Sequence, residues 1–163
     1  MTGSRAGPLD DRGDTLAKDR LFAVKLDEQE ALERLRSARV ARLATASSSG
    51  QPHIVPVIFA VHERIIVTAI DHKPKTTSNL KRLRNIEENN RVSLLVDEYD
   101  DQDWARLWWV RADGTARLIE DARECELSVS WLRDKYEQYR SNLPDGPVIR
   151  IDIDALRGWS YAD

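Results

Sequence analysis

Apolar residues change their rhythm several times along this chain, and each change predicts an element. Between Glu28 and Ser37 they recur at helical spacing: Ala31, Leu32, Leu35 and Ala38 form one stripe, with Glu33, Arg34 and Arg36 facing water. Asp27, with Glu30 three residues on, has the spacing of a capping box, so the helix starts at Glu28. From Val40 the pattern is that of strands. Val40–Ala46 is the first, and Ser47–Gly50 supplies the turn. His53–Val61 is apolar at nearly every position, which predicts a strand covered on both faces. Pro56 inside it cannot donate a ladder hydrogen bond and belongs at an edge or a bulge. After a tight turn at His62–Arg64, the run Arg64–Ile70 is a third strand, rich in Ile and Val.

The stretch Asp71–Thr76 is polar and holds Pro74, and it leads into a helix over Ser78–Glu88 with Leu80, Leu83 and Ile86 as its apolar positions. Arg91–Val96 is strand four. The acidic loop Asp97–Asp103 precedes an aromatic strand through Leu107, Trp108, Trp109 and Val110, and Asp113-Gly114 is either a hairpin turn or a bulge in one long strand reaching Ile119. Asp121 and Glu124 repeat the capping-box spacing before a helix to Tyr139 with the stripe Leu127, Trp131, Leu132, Tyr136, Tyr139. A last strand covers Val148–Ile153 and ends near Trp159. Turns rather than crossover helices join the first three strands, so parallel α/β architecture is disfavoured. The expectation is a mainly β domain with α-helices, a barrel flanked by helices over residues 21–163, behind a flexible lead at 1–20.

Composition narrows the class only modestly. At 163 residues, 41% hydrophobic and 33% charged, the chain suits one globular domain. A net charge of −3 argues against a nucleic-acid partner. The longest apolar run, Ile54–Val61, is too short for a bilayer, and the first twenty residues lack a signal-like apolar segment, so the expected location is the cytoplasm with no membrane partner. The lone Cys125 reads as a half-buried helix residue. His53, His62 and His72 lack the spacing of a zinc site, so no metal is expected; His62 reads as solvated and His53 as structural.

One segment suggests chemistry. Thr68 ends a strand, and Lys73 and Lys75 follow, one residue apart, so that an extended chain points both ammonium groups the same way beside a helix N-terminus. That is a plausible phosphate pocket, although such lysine pairs are common and the local sequence alone favours a solvated charged loop. Lys81, Arg82 and Arg84 extend the positive charge along the next helix. Trp104, Trp108 and Trp109 read as core and interface residues; stacking on a planar ligand is the sharper alternative, open to only one of Trp108 and Trp109 because strand neighbours face opposite sides.

Taken in order, Arg42-Leu43-Ala44-Thr45-Ala46, Gly50-Gln51-Pro52-His53, Pro56-Val57, Thr68, Lys73, Lys75, Arg91–Asp97 and Gly114-Thr115-Ala116 resemble the pyridoxamine-phosphate-oxidase-like proteins. The similarity is greatest to the actinobacterial branch of deazaflavin (coenzyme F420)-dependent oxidoreductases and covers Leu26–Asp163. The resemblance implies an FMN-binding split β-barrel acting as a homodimer, with the cofactor site at the subunit interface. It places the cofactor phosphate at Thr68, Lys73 and Lys75, the ring along Val55, Pro56 and Val57, and Trp109 as the second subunit's contribution. Asn90 stands where relatives often have proline, and the segment between Lys75 and Arg91 is longer than in the simplest members. The implied cofactor is F420, with FMN as the alternative, and the implied activity is hydride transfer to a small organic substrate. An FMN enzyme, or a protein that only binds a flavin, deazaflavin or haem, remains open on the same scaffold. Because hydride chemistry belongs to the cofactor, no side chain is assigned a catalytic role.

Overall fold

The computed structural model describes residues 22–70 and 80–162. Strand β1 (Phe22–Lys25) leads to helix α1 (Glu28–Ser37), whose capping box forms as its sequence predicts: Asp27 accepts from the Glu30 amide at 2.8 Å and Glu30 accepts from the Asp27 amide. The sheet strands follow as β2 (Ala41–Ala46), β3 (Pro52–Val57), β4 (Ala60–His62) and β5 (Ile65–Ala69). After α2 (Lys81–Glu88) come β6 (Arg91–Glu98), a single 3-10 turn at Trp104–Arg106 and β7 (Trp108–Leu118). Helices α3 (Ala122–Lys135) and α4 (Gln138–Ser141) precede β8 (Val148–Ala162).

All pairings are antiparallel, in the order β3-β2-β6-β7-β8-β5-β4, with β1 attached to β8. The two ends of this path, β3 and β4, are consecutive in sequence, joined only by Ile58 and Phe59. The sheet therefore curls until its edges share one short link, which makes it a split barrel. Alternation then sorts side chains: Leu43, Val92, Leu94, Val96, Val110 and Ile151 point inward. Leu35 of α1 and Leu83 and Ile86 of α2 join the same interior cluster. A second cluster lies on the other side of β5, where Leu132, Tyr136 and Tyr139 of α3, α4 and their junction cover Val67, Ala69 and Val148.

Several expectations need correction. The single strand expected over His53–Val61 is two, broken at Ile58–Phe59, and its first half is an edge strand with Ile54 62% exposed rather than covered on both faces. Pro56 does sit on an edge strand. β7 runs unbroken, and the irregularity at Asp113/Gly114 lies in its pairing with β8: Asp113 pairs with Ala155 and Gly114 with Ile153, leaving Asp154 as the extra residue. Gly114 is needed there, because a Cβ would stand 2.3 Å from the Asp152 carbonyl oxygen. The third helix ends at Lys135, and Leu127 of its expected stripe is 52% exposed. Asp121 caps α3 through the Glu124 amide, whereas the Glu124 carboxylate is held by Arg117 and Arg150. Those two guanidiniums keep its pKa below the usual carboxylate value. β8 runs past Ile153 to Ala162, and the polar-flanked β1 has no counterpart among the expected strands.

Candidate functional site

Strand β3, the end of β5 and the first turn of α2 wall a cavity of about 410 Å³. Val55, Pro56, Val57 and Ile58 form one wall, Ala69 and Ile70 another, and Arg82 supplies the charge. Its size falls in the ordinary range for small-ligand sites, and its walls are mainly apolar with one cationic group. Arg82 lies in the first turn of α2, where Leu80 at the cap position offers no side-chain acceptor to the amides. A helix start with uncapped amides favours an anion.

Of the residues singled out in the sequence, Val55, Pro56 and Val57 therefore share one wall. Val55 and Val57 point to the interior, while Pro56 belongs to the outer face. Thr68 is buried on β5, two residues before Ile70 on the same side of the strand, and does not itself line the cavity. Lys73 and Lys75 lie outside the described residues, in the segment that follows Ile70 directly. Lys81 and Arg84 are exposed, and only Arg82 of that basic helix reaches the wall.

Trp109 stands apart from these walls. It is on the outer face of the sheet, opposite Trp159 of β8 and Asp97 of β6. Trp108, its neighbour, turns inward, packs on the core and donates its indole N–H to Glu98. Trp104 is exposed. The described helices pack on the inner face or, through α3, on β4, β5 and β8, so no described helix covers the outer face of β3, β2, β6 and the first part of β7. It carries a charged network centred on Asp113, which accepts from Ser93, Arg111 and Arg157. Burial pushes the Asp113 pKa up, but those hydrogen bonds and positive charges outweigh it and hold the carboxyl below its ordinary value. A groove of about 550 Å³ runs along this network, floored by Ala44, Ala46 and Ala155.

A larger cleft, of about 1020 Å³, opens between the end of α2 and the start of α3. Glu87, Glu88, Glu120, Asp121 and Glu124 face it against Arg117, a charge balance that repels phosphate. His62, read as solvated, is exposed, and its ring stacks on Trp131 with centroids 4.6 Å apart. Sequence reading missed Val40, Ile58, Ala69 and Ile70 as wall residues, because their roles depend on where β3 breaks. Among the described residues no group of His, Cys, Asp and Glu could hold a metal ion, and no helix is long and apolar enough to cross a membrane.

Known proteins share this architecture. A FAD-binding protein from Mesorhizobium loti superposes with a TM-score of 0.65 at 24% identity, covering 87% of this chain and 98% of that one. The haem storage protein HutZ from Vibrio cholerae gives 0.60 at 20% identity, over 79% and 92%. A 5a,11a-dehydrotetracycline/5a,11a-dehydrooxytetracycline reductase from Streptomyces rimosus subsp. rimosus is 32% identical over 91 residues, which are 56% of this chain and 63% of that reductase's length. The family model described as pyridoxamine 5'-phosphate oxidase matches residues 27–160. With a split barrel, an apolar cavity along its edge strand and a family match across nearly all of that barrel, the chain belongs to the pyridoxamine 5'-phosphate oxidase family.

Proposed function

We propose that the protein is an F420-dependent oxidoreductase that passes a hydride between the deazaflavin and a small organic substrate. The observation that carries this reading is the cavity along β3, apolar where a ring system would lie and cationic at Arg82, with Ile70, the residue before the sequence stretch that bears Lys73 and Lys75, in its wall. When bound, the deazaflavin supplies the hydride chemistry. The chain's own residues bind and orient it. Val55, Pro56 and Val57 form the surface for the ring, and burial among Ile58, Ala69 and Ile70 excludes water from it. Lys73 and Lys75 neutralise the phosphate with the help of the α2 start, Thr68 supports that end of β5 from within, and Arg82 faces the carboxylates of the tail. The reductase relative from Streptomyces rimosus supports an oxidoreductase activity.

The site is completed in a homodimer through the outer sheet face. Ile54, Pro56, Leu95, Trp109, Trp159 and Tyr161 share that face, and no described helix covers it. Trp109 of the second subunit closes the ring site. A working place in the cytoplasm accords with this chemistry.

One observation favours FMN instead: of Lys81, Arg82 and Arg84, only Arg82 faces the cavity, which is little charge for a polycarboxylate tail. The FAD-binding protein of the same fold points the same way, and the haem storage protein marks a binder without turnover as a third reading. Titration with F420 and with FMN, followed by tryptophan fluorescence quenching, separates them. Saturable F420 binding, weakened at least tenfold in Lys73→Ala and Lys75→Ala, is the expected result, since each lost cation–phosphate contact is worth on the order of 1.4 kcal/mol or more. Preference for FMN establishes the second reading, and tight binding without reduction of any acceptor the third. Binding of neither cofactor removes the proposal.

A further inference from the structure

Tyr136 lies at the junction of α3 and α4, outside the cavity, and its side chain is buried in the second cluster. Its hydroxyl accepts the amide N–H of Phe59 at 3.1 Å and shares its own proton between the carbonyls of Arg39 at 2.8 Å and Phe59 at 2.9 Å. Each of these backbone partners is one residue away from a cavity wall: Phe59 follows Ile58, and Arg39 precedes Val40. Phe59 is also the residue at which the chain leaves one sheet edge for the other, so its N–H and C=O have no strand partner of their own to satisfy them. One phenol therefore does the work of a missing strand at the split of the barrel.

Neighbouring contacts hold the phenol in place. The Arg39 guanidinium lies over the Tyr136 ring, 4.5 Å from its centroid, and donates to the Lys135 carbonyl at 2.7 Å. The Lys135 ammonium sits 4.1 Å from the centre of the Phe59 ring. Burial raises the phenol pKa against the opposing pull of the Phe59 backbone and the Arg39 charge, so the hydroxyl keeps its proton and remains a donor.

We propose that Tyr136 is a positioning residue for the ligand cavity, its hydroxyl fixing the Val40 and Ile58 walls relative to each other. It touches no ligand; it acts through the backbone of Arg39 and Phe59. The proposal rests on the reading that this cavity is the cofactor site, and its test separates the two. FMN and F420 are titrated into the wild-type chain, Tyr136→Phe and Tyr139→Phe; the last removes another buried hydroxyl of the same cluster. Thermal unfolding is recorded alongside. Tyr136→Phe is expected to weaken the bound cofactor about tenfold and to broaden its visible absorption spectrum, the scale of one buried hydrogen-bonding group left unpaired. Tyr139→Phe, at an equal or larger loss of thermal stability, is expected to leave both unchanged.

Equal binding by Tyr136→Phe and wild type overturns the positioning role while leaving the site reading intact. Failure of the wild type to bind either cofactor overturns both, and it shows in the wild-type curve alone. Should Tyr136→Phe not fold, amide hydrogen exchange on the wild-type chain decides. A saturating amount of whichever of F420 and FMN the wild type binds must slow exchange at residues 39–41 and at 57–60 together, and protection of one segment without the other excludes a shared clamp.

Discussion

Leu94 and Leu95 are adjacent on β6 and chemically identical, yet they lead different lives. Leu94 is fully buried among strands and helices, whereas the half-buried Leu95 looks out from the outer face among Arg42, Arg111 and Asp97. The same contrast repeats along the sheet. Val110 faces inward beside Trp109 facing outward, and Ala112 faces inward beside Asp113 at the centre of its arginine network. A strand pleat thus separates two tasks at single-residue resolution: the inner set holds the chain together, and the outer set is free to serve contact with something else.

Truncating each leucine gives the strongest test. Leu94→Ala is expected to cost about 3 kcal/mol in urea unfolding, through lost burial and a cavity. Leu95→Ala should cost less than about 1 kcal/mol under conditions where the chain is monomeric. Similar losses at both positions would mean that the outer face is as tightly packed as the inner one. Next in size, Trp109→Ala is expected to raise the dimer dissociation constant at least tenfold in sedimentation analysis, because large aromatics dominate interface energetics, on the order of 2 kcal/mol each. A wild-type chain that stays monomeric at high concentration would break that half of the contrast.

The charged centre of the outer face offers a finer test. Asp113→Asn should lower stability by about 1 kcal/mol at neutral pH, by removing the charge that Arg111 and Arg157 face. Because the Asp113 pKa is lowered on folding, its contribution is present above the ordinary value of 3.8 and is lost as pH falls through the folded value. The gap between wild type and variant should therefore close in acid, which pH-dependent thermal unfolding reads directly.

The smallest effect concerns Lys135, whose buried ammonium has no hydrogen-bond partner among the described residues. Burial, with help from the Arg39 charge, lowers its pKa from 10.5 to about 8, while the Phe59 ring recovers part of the cost. The folded state thus binds this proton less well than the unfolded one, and stability from this group rises between pH 8 and 10.5. Lys135→Met should melt roughly 2–3 °C higher than wild type at pH 7, a gain of about 1 kcal/mol for a chain of this size. The advantage should shrink as the pH is raised across that interval.

The sequence shows the periodic parts of this fold well. α1 with its capping box, β2, β5, β6 and the long aromatic strand follow from spacing alone, because their burial patterns are regular. It misleads where one stretch of apolar residues serves two elements. Ile54–Val61 looks continuous, yet it holds a strand, a link and another strand, and only the closure of the sheet decides that Phe59 is where it breaks. β1 and the last residues of β8 are similarly silent, since β1 gains its strand character only by pairing with Trp159–Ala162. At the site, Val55, Pro56 and Val57 are legible as a wall, whereas Tyr136 looks in sequence like one more helix-stripe residue. Its hydroxyl acquires a task only when Arg39 and Phe59 arrive beside it from elsewhere in the chain.

β8 pairs with β7 along most of its length, with β5 through its first half and with β1 at its end, where Ala162 meets Phe22. The strand that joins the largest part of the sheet thus leaves the ribosome after every strand it pairs with. Until it does, β1 and β5 lack their partner, and the inner faces of β6 and β7 have no completed interior to enter. Folding of this domain is therefore expected to wait for release of residues 148–162, and a nascent chain stalled before Val148 should present β7's free edge to chaperones.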